Sequence, residues 1–355
     1  VTFDITRDVL FIGKGVGAPC YYRVMLPAMA LDCDWVGLAG EPPTLQWQTG
    51  LAKDDQGVPQ SGMPDVFKYK IVVVQQPASE KWADVIAGMR AKGIVVLFET
   101  DDYLHGVRKL PDHLARDYYD RAYLRRSEAC MRAASGIICS TDYIASRYST
   151  FNPNVHVCRN GLDLGRYNLT VPPRDSFNVG WAGSTGHVST LIPWLREVAK
   201  LMQVRGDVNF ISIGENYADG MRQPLGPFPR ERALPIPWAA IEQYPAAMTM
   251  FDVTLAPQGK GEWWKGKSDL RWLETGALGI PAIVNPSLYP EAEHGKTAMH
   301  ARNPQQVFDA LYTLINNPAL REEIGDNVRT HVREKRSMKV MREQWREVFE
   351  AEVAG

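Results

Sequence analysis

The sequence predicts an α/β protein with two parallel sheets, each covered by helices on both faces. Three observations predict this. Short, wholly apolar runs (Val9 to Ile12, Ile71 to Val74, Ile94 to Phe98) alternate with helical stretches, the pattern of strands buried on both sides. The pattern restarts at Phe177, where a strand, a turn of small residues and a helix echo residues 8 to 30. The chain has 355 residues, which favours two domains over one.

Composition sets outer bounds. A hydrophobic content of 45% and a charged content of 23% are those of an ordinary globular chain. A net charge of −1 supplies no general attraction to nucleic acid or an anionic membrane. The five cysteines (Cys20, Cys33, Cys130, Cys139, Cys158) are odd in number and lack metal-site spacing, so reduced thiols in a cytoplasmic protein are expected. No apolar run approaches the roughly 18 residues of a membrane span, and no signal-peptide pattern opens the chain. No cluster of metal ligands is evident.

In the first half, Asp8 to Ile12 reads as a strand, Gly13 to Gly17 as a glycine turn, and Tyr21 to Pro27 as the opening of a helix. Such a turn lets backbone approach a ligand closely, although the glycine spacing is not a dinucleotide fingerprint. Arg23 is either an anion contact for an acceptor or part of a solvated helix face. Leu38 to Met63 reads as irregular, with room for one short strand. Tyr69 to Gln76 is a strand, Trp82 to Lys92 a helix stopped by Gly93, and Ile94 to Phe98 a strand. Asp101, Asp102 and His105 follow that strand's carboxyl end, where doubly wound sheets bind ligands. Asp101 or Asp102 could orient an acceptor hydroxyl or take its proton, or simply cap the next segment. Asp117 to Ala134 is a helix with an arginine-rich face, Gly136 to Ser140 a strand and Asp142 to Tyr148 a helix. Val155 to Asp163 is a strand followed by an Asn160-Gly161 turn.

Leu169 to Ser176, with Pro172-Pro173, suits a linker. Phe177 to His187 is then a strand into the turn Gly183-Ser184-Thr185-Gly186, and Ser189 to Val204 a helix. Val208 to Gly214 is a strand, Ala239 to Met250 a helix and Phe251 to Pro257 a strand. Trp263 and Trp264 lie in a Gly/Lys/Trp loop, suited to sugar stacking if exposed and to edge packing if buried. From Lys265 to Asn285 the chain reads as a Gly-Lys-Ser turn, a helix and a buried strand. Lys267 would add a full charge to a helix N-terminus, whose unpaired N–H groups already favour phosphate. Pro304 to Asn316 and Pro318 to Glu334 are helices. The last helix carries Met338, Met341, Trp345, Val348 and Phe349 on one face, an apolar stripe for burial within the chain or for a homodimer contact.

The stretch Lys265 to Asn285 resembles the donor-binding segment of retaining glycosyltransferases of the GT-B fold, the glycosyl transferases group 1 superfamily. There a Lys-Ser-x-x-x-x-x-Glu helix leads into a Gly-x-Pro strand, here Lys267-Ser268, Glu274 and Gly279-Ile280-Pro281. Asn160-Gly161-Leu162-Asp163 resembles the family's Asn-Gly-x-Asp segment, Gly183-Ser184 its diphosphate turn, and Asp252 to Pro257 its Asp-x-x-Leu-x-Pro strand. The resemblance implies two Rossmann-like domains facing a cleft: an acceptor-side domain over residues 1–168, a nucleotide-sugar domain over 169–335, and a terminal helix over 336–355 crossing back to the first. It implies sugar transfer with retention, no metal and no cofactor, the nucleotide sugar being a substrate.

Site residues follow from the same resemblance. Lys267, Ser268 and Asp269 at the helix start, with Gly183, Ser184 and Thr185, would hold the donor diphosphate, and Glu274 the ribose. Ile236 and Trp238 are placed for the nucleotide base, and Gly15, Val16 and Gly17 face the cleft. Many relatives carry an arginine and a lysine just after the Gly-Ser turn. Here His187 stands nearby, so neutralisation falls to Lys267, with Lys260 or Lys265 assisting. Arg23 and His105 are the acceptor-side candidates, and Lys267, Asp101 and Asp102 the catalytic ones. The first of the family's paired glutamates would fall at Gly266 and is missing. A nucleotide-sugar epimerase on the same fold and a two-domain binding protein are the alternatives. The acceptor stays open among small molecules, glycans, lipids, proteins and modified nucleic-acid bases.

Overall fold

The structure is a computed structural model and describes residues 3–15, 17–39, 46–48, 52–53, 59–60, 65–110, 119–183, 185–214 and 229–354. Apart from a small antiparallel pair (Ala52–Lys53 with Pro59–Gln60), the strands of the first half are β1 (Val9–Lys14), β2 (Asp34–Ala39), β3 (Gln46–Gln48), β4 (Ile71–Gln75), β5 (Val95–Thr100), β6 (Gly136–Cys139) and β7 (Val155–Val157). They form one sheet in the order β3-β2-β1-β4-β5-β6-β7. Its neighbours are parallel except β2 with β3. Connecting helices are α1 (Ala18–Cys20, Tyr21–Met25 and Leu26–Leu31 in succession), α2 (Glu80–Ala91), α3 (Leu104–Val107), α4 (Arg121–Ala133) and α5 (Asp142–Tyr148). The middle piece of α1 has the wider π-helical turn.

The second half gives β8 (Phe177–Gly183), β9 (Val208–Gly214), β10 (Ala233–Ile236), β11 (Val253–Ala256), β12 (Ala282–Val284) and β13 (Met299–His300). These make a parallel sheet in the order β10-β9-β8-β11-β12-β13. Its helices are α6 (Val188–Val204), α7 (Tyr244–Met248), α8 (Glu262–Lys265), α9 (Leu270–Ala277), α10 (Pro304–Asn316) and α11 (Pro318–Lys335). The chain closes with α12 (Met338–Ala354).

The apolar runs are continuous because both sheet faces are covered. Side chains alternate across a strand. Phe11, Val73 and Leu97 therefore enter one core, and Leu10, Val72 and Val96 the other. All six are wholly buried. The apolar stripe of α12 is spent inside the chain. Trp345 and Phe349 pack on Phe11 of β1, with ring centroids 5.5 and 5.8 Å away. Leu162 pairs with the turn before α12, donating N–H to Arg336 O at 2.9 Å and accepting from Met338 N at 2.7 Å. The helix thus crosses back to the first sheet, and its stripe is not an exposed dimer surface.

Three elements differ from expectation. β2 forms where no strand is expected, its apolar residues being interrupted by Gly37, and pairs with β1. The helix expected over Ala239 to Met250 is regular only as α7. α4 starts at Arg121, where the Asp120 carboxylate caps Tyr123 N–H; residues 117 and 118 lie outside the described set. Among the described residues, no helix is long and apolar enough to cross a membrane.

Candidate functional site

The carboxyl ends of the central strands of both sheets open onto one cavity of about 780 Å³. Gly17 after β1 and Asp101 and Asp102 after β5 line one wall; Gly183 at the end of β8 and Pro257 after β11 line the other. The first turn of α9 and the residues leading into it form the floor, with Lys267, Ser268, Arg271 and Glu274 on the cavity side.

The halves touch across this cleft without intervening side chains at two glycines. A Cβ on Gly266 would lie 2.8 Å from Tyr103 Cβ, and one on Gly106 would lie 2.5 Å from Trp263 N. Neither position has room for a methyl group. A glutamate at residue 266 would therefore have to displace Tyr103.

Lys267 Nζ donates to Asp102 Oδ1 at 2.8 Å and lies 3.9 Å from the centroid of the Trp263 ring. Asp101 beside it accepts from Gln76 Nε2 at 3.2 Å. Burial and the Asp102 charge push the Asp101 carboxyl up to about 6, against the pull of Lys267 and Arg23. Glu274 is buried and accepts from the Tyr22 hydroxyl of α1; burial raises its carboxyl to about 7. Tyr22 Oη lies 3.3 Å from Tyr167 Oη, so the carboxylate ends a short buried chain of hydroxyls.

Arg271 is the charged group that sequence reasoning missed. Its guanidinium lies 4.0 Å over the Trp181 ring, Nε donates to Ala182 O at 3.3 Å, and it forms no ion pair among the described residues. A Cβ on Gly183 would come within 3.2 Å of Arg271 Nη2, so the glycine leaves that group its place. The signal was present: residues 267, 271 and 274 repeat at helical spacing, so a cation at 271 shares a face with Lys267 and Glu274. Tyr22 and Tyr244 also line the cavity and carried no motif.

Several expected residues have other work. Arg23 is fully buried and holds Glu99 at 2.6 Å, Cys158 O at 2.7 Å and Asn160 Oδ1 at 3.0 Å. An acceptor cannot reach it; it orients Asn160, whose Nδ2 donates to Ser268 Oγ at 3.0 Å. His105 pairs with Glu128 at 2.9 Å, stacks on Phe151 and lies outside the cavity lining. Asp269 turns away from the cavity into a two-pronged ion pair with buried Arg336. Trp263 and Trp264 are buried, so edge packing prevails over open sugar stacking, although Trp264 forms part of the wall.

The remaining positions are near the cleft or undescribed. Gly17 lines it and Gly15 precedes it with φ 80°, while Val16 and Ser184 lie outside the described residues. Thr185 opens the single turn Thr185–His187 that leads into α6, and His187 lines the cavity. Trp238 stands at the rim, 61% exposed and laid across Gly214, whereas Ile236 packs against the core. Lys260 and Lys265 are exposed and not part of the lining. Among the described residues, no three His, Cys, Asp or Glu side chains are grouped to hold a metal ion.

No protein-family model matches the sequence, and no curated protein does. Solved structures match over nearly the whole chain. HepE from Anabaena, in complex with UDP and glucose, is 15% identical with a TM-score of 0.66, covering 97% of this chain and 99% of that one. The sucrose-phosphate synthase of Thermosynechococcus elongatus is 13% identical with a TM-score of 0.67, over 98% and 99%. A putative UDP-N-acetylglucosamine 2-epimerase from Listeria monocytogenes is 10% identical with a TM-score of 0.52, over 95% and 94%. The chain has the GT-B fold: two α/β domains that enclose a cleft, with the last helix returned to the first.

Proposed function

We propose that the chain transfers a sugar from a nucleoside diphosphate sugar to an acceptor hydroxyl, retaining the anomeric configuration and using no metal ion. One observation carries the reading. Lys267, Arg271 and the N-terminus of α9 converge on the cavity floor, where Asp102 of the Asp101–Asp102 pair meets Lys267 at 2.8 Å. Cations at a helix N-terminus suit a departing diphosphate. Carboxylates beside these cations suit an acceptor hydroxyl next to the departing group.

In this reading the bond from the anomeric carbon to the β-phosphate oxygen breaks while the acceptor oxygen bonds to the same carbon. The acceptor proton passes to the departing phosphate, with Asp101 or Asp102 orienting the hydroxyl. Lys267 and Arg271 neutralise the diphosphate, and backbone N–H groups near Ser268, Gly183 and Thr185 assist. Glu274 takes a ribose hydroxyl and Trp238 borders the base. Retention is supported by the likeness of Lys267-Ser268 to Glu274 to the retaining enzymes' donor segment. The five cysteines are buried free thiols, which suits a cytoplasmic protein.

The fold alone does not choose a chemistry, since HepE and a putative epimerase share it. Thermal unfolding against UDP-, GDP-, ADP- and TDP-sugars and their diphosphates tests the donor. A ligand at ~100 times its dissociation constant adds about 2.7 kcal/mol. Acceptor-dependent release of the diphosphate supports transfer. Release of nucleotide without any acceptor dependence favours the epimerase, and tight binding without turnover favours a binding protein.

A further inference from the structure

Among the hydrogen bonds that join the two halves, three end on donor-side groups of the second half. Asp102 holds Lys267 at 2.8 Å, Asn160 holds Ser268 at 3.0 Å, and the Tyr22 hydroxyl holds Glu274. Two of these partners copy the chemistry of a nucleotide. A hydroxyl sits on the carboxylate assigned to ribose, and a carboxylate anion sits on the ammonium assigned to the diphosphate. Tyr22 is presented by the π-helical piece of α1, a local widening that often marks functional positions.

We propose that Tyr22 and Asp102 of the first half hold two donor-binding groups of the second, Glu274 and Lys267, and that a nucleoside diphosphate displaces them by partner exchange. Its ribose hydroxyl replaces Tyr22 on Glu274, and its diphosphate replaces Asp102 on Lys267. The inference rests on the nucleotide-sugar reading and adds a consequence: donor capture releases Asp102 from Lys267. The exposed pairs of Glu262 with Lys109 and Arg147 at the rim do not oppose this, because such pairs contribute little in water. The Tyr22–Glu274 bond is different. Both residues are buried, and a buried carboxylate that loses the hydroxyl partner it has among the described residues is left at a disadvantage that a ligand hydroxyl can relieve.

The two exchanges are separable by ligand. Calorimetric titration of UDP, GDP, ADP and TDP first identifies the base that binds. The matching nucleoside, monophosphate and diphosphate are then titrated into wild type, Tyr22→Phe and Asp102→Asn, with thermal unfolding showing that each variant is folded. Tyr22→Phe is expected to tighten all three ligands by about two- to tenfold, the equivalent of one net hydrogen bond. Asp102→Asn is expected to tighten the diphosphate by about as much and to leave the nucleoside unchanged. Unchanged or weakened binding in folded variants overturns partner exchange, because the contacts then persist in, or do not oppose, the bound state. If no diphosphate binds wild type, the nucleotide-sugar reading fails by itself. The contacts are then tested without ligand by small-angle scattering of the Tyr22→Phe/Asp102→Asn double variant. A larger radius of gyration than wild type supports their closing role, and an identical one overturns it.

Discussion

The Lys267 ammonium and the Asp102 carboxylate meet at 2.8 Å although 165 residues separate them, the one from the approach to α9 and the other from the end of β5. This pair joins the two halves at the cavity, so either residue acts on both walls. With the diphosphate held by Lys267, Lys267→Ala should lower the transfer rate by about 10²–10³, by analogy with loss of an oxyanion donor. Turnover numbers with saturating donor check this, and an unchanged turnover number removes Lys267 from the chemistry.

In the proposed reading Arg271 supplies the second charge. It is tied by Nε to Ala182 O and lies on Trp181, so its position does not depend on a carboxylate. Arg271→Gln removes one charge-assisted contact worth about 1.5–3 kcal/mol, a loss of roughly 10- to 100-fold in kcat/KM. Arg271→Lys should recover part of this, whereas a purely structural arginine would show equal losses in both variants together with a lowered unfolding midpoint.

Asp101 gives the pH dependence its sign. Its carboxyl is raised to about 6 by burial and by the neighbouring Asp102 charge. If its ionised form orients the acceptor hydroxyl, the rate rises with pH through about 6 and is flat above. Asp102→Asn removes one of the raising charges, so the limb should move to lower pH. A limb that stays in place in that variant assigns the titration elsewhere.

Much of the fold was legible because both sheets are buried on two faces, which writes each central strand as an apolar run: β1, β4, β5, β8 and β11 are all found where the sequence indicates. Two other strands were not, since Gly37 interrupts the apolar residues of β2 and β13 has only two residues. The site was read through its motif. Lys267, Ser268 and Glu274 come to the cavity because they share the helix face and its approach. Asp269 and Arg23 deceived the reading for one reason: a charged residue in a motif or near a loop carries no mark of a buried partner far along the chain, here Arg336 and Glu99. Tyr22 was unreadable because its role arises only when the halves meet.

Glu274 predicts a stability change with pH. Its folded carboxyl is raised from 4.5 to about 7, so between those values the folded chain binds more protons than the unfolded one. Stability contributed by this group is therefore present below 4.5 and lost as pH rises through about 7, a change of about 3 kcal/mol at most. Glu274→Gln keeps an acceptor for Tyr22 and should flatten this term. Urea unfolding of both proteins at pH 5 and pH 8 measures it, and equal pH dependence in the two would show that Glu274 titrates normally.

Gly266 offers a test of how the cleft is built. Restoring a glutamate there would satisfy the family's sequence pattern and, on sequence grounds, improve contact with the donor sugar. The packing argues the opposite. The new Cβ would lie 2.8 Å from Tyr103 Cβ and 3.4 Å from Ile144 Cγ1, both held in the first half's core. The halves would have to separate, and overpacking of this kind costs about 1–3 kcal/mol. Gly266→Ala should already lower kcat/KM and the unfolding midpoint, and Gly266→Glu should lower both further. Tyr103→Ala in the Gly266→Glu background opens the space and should recover part of the lost activity. A gain of activity in Gly266→Glu alone would mean that the working cleft keeps Tyr103 and residue 266 apart.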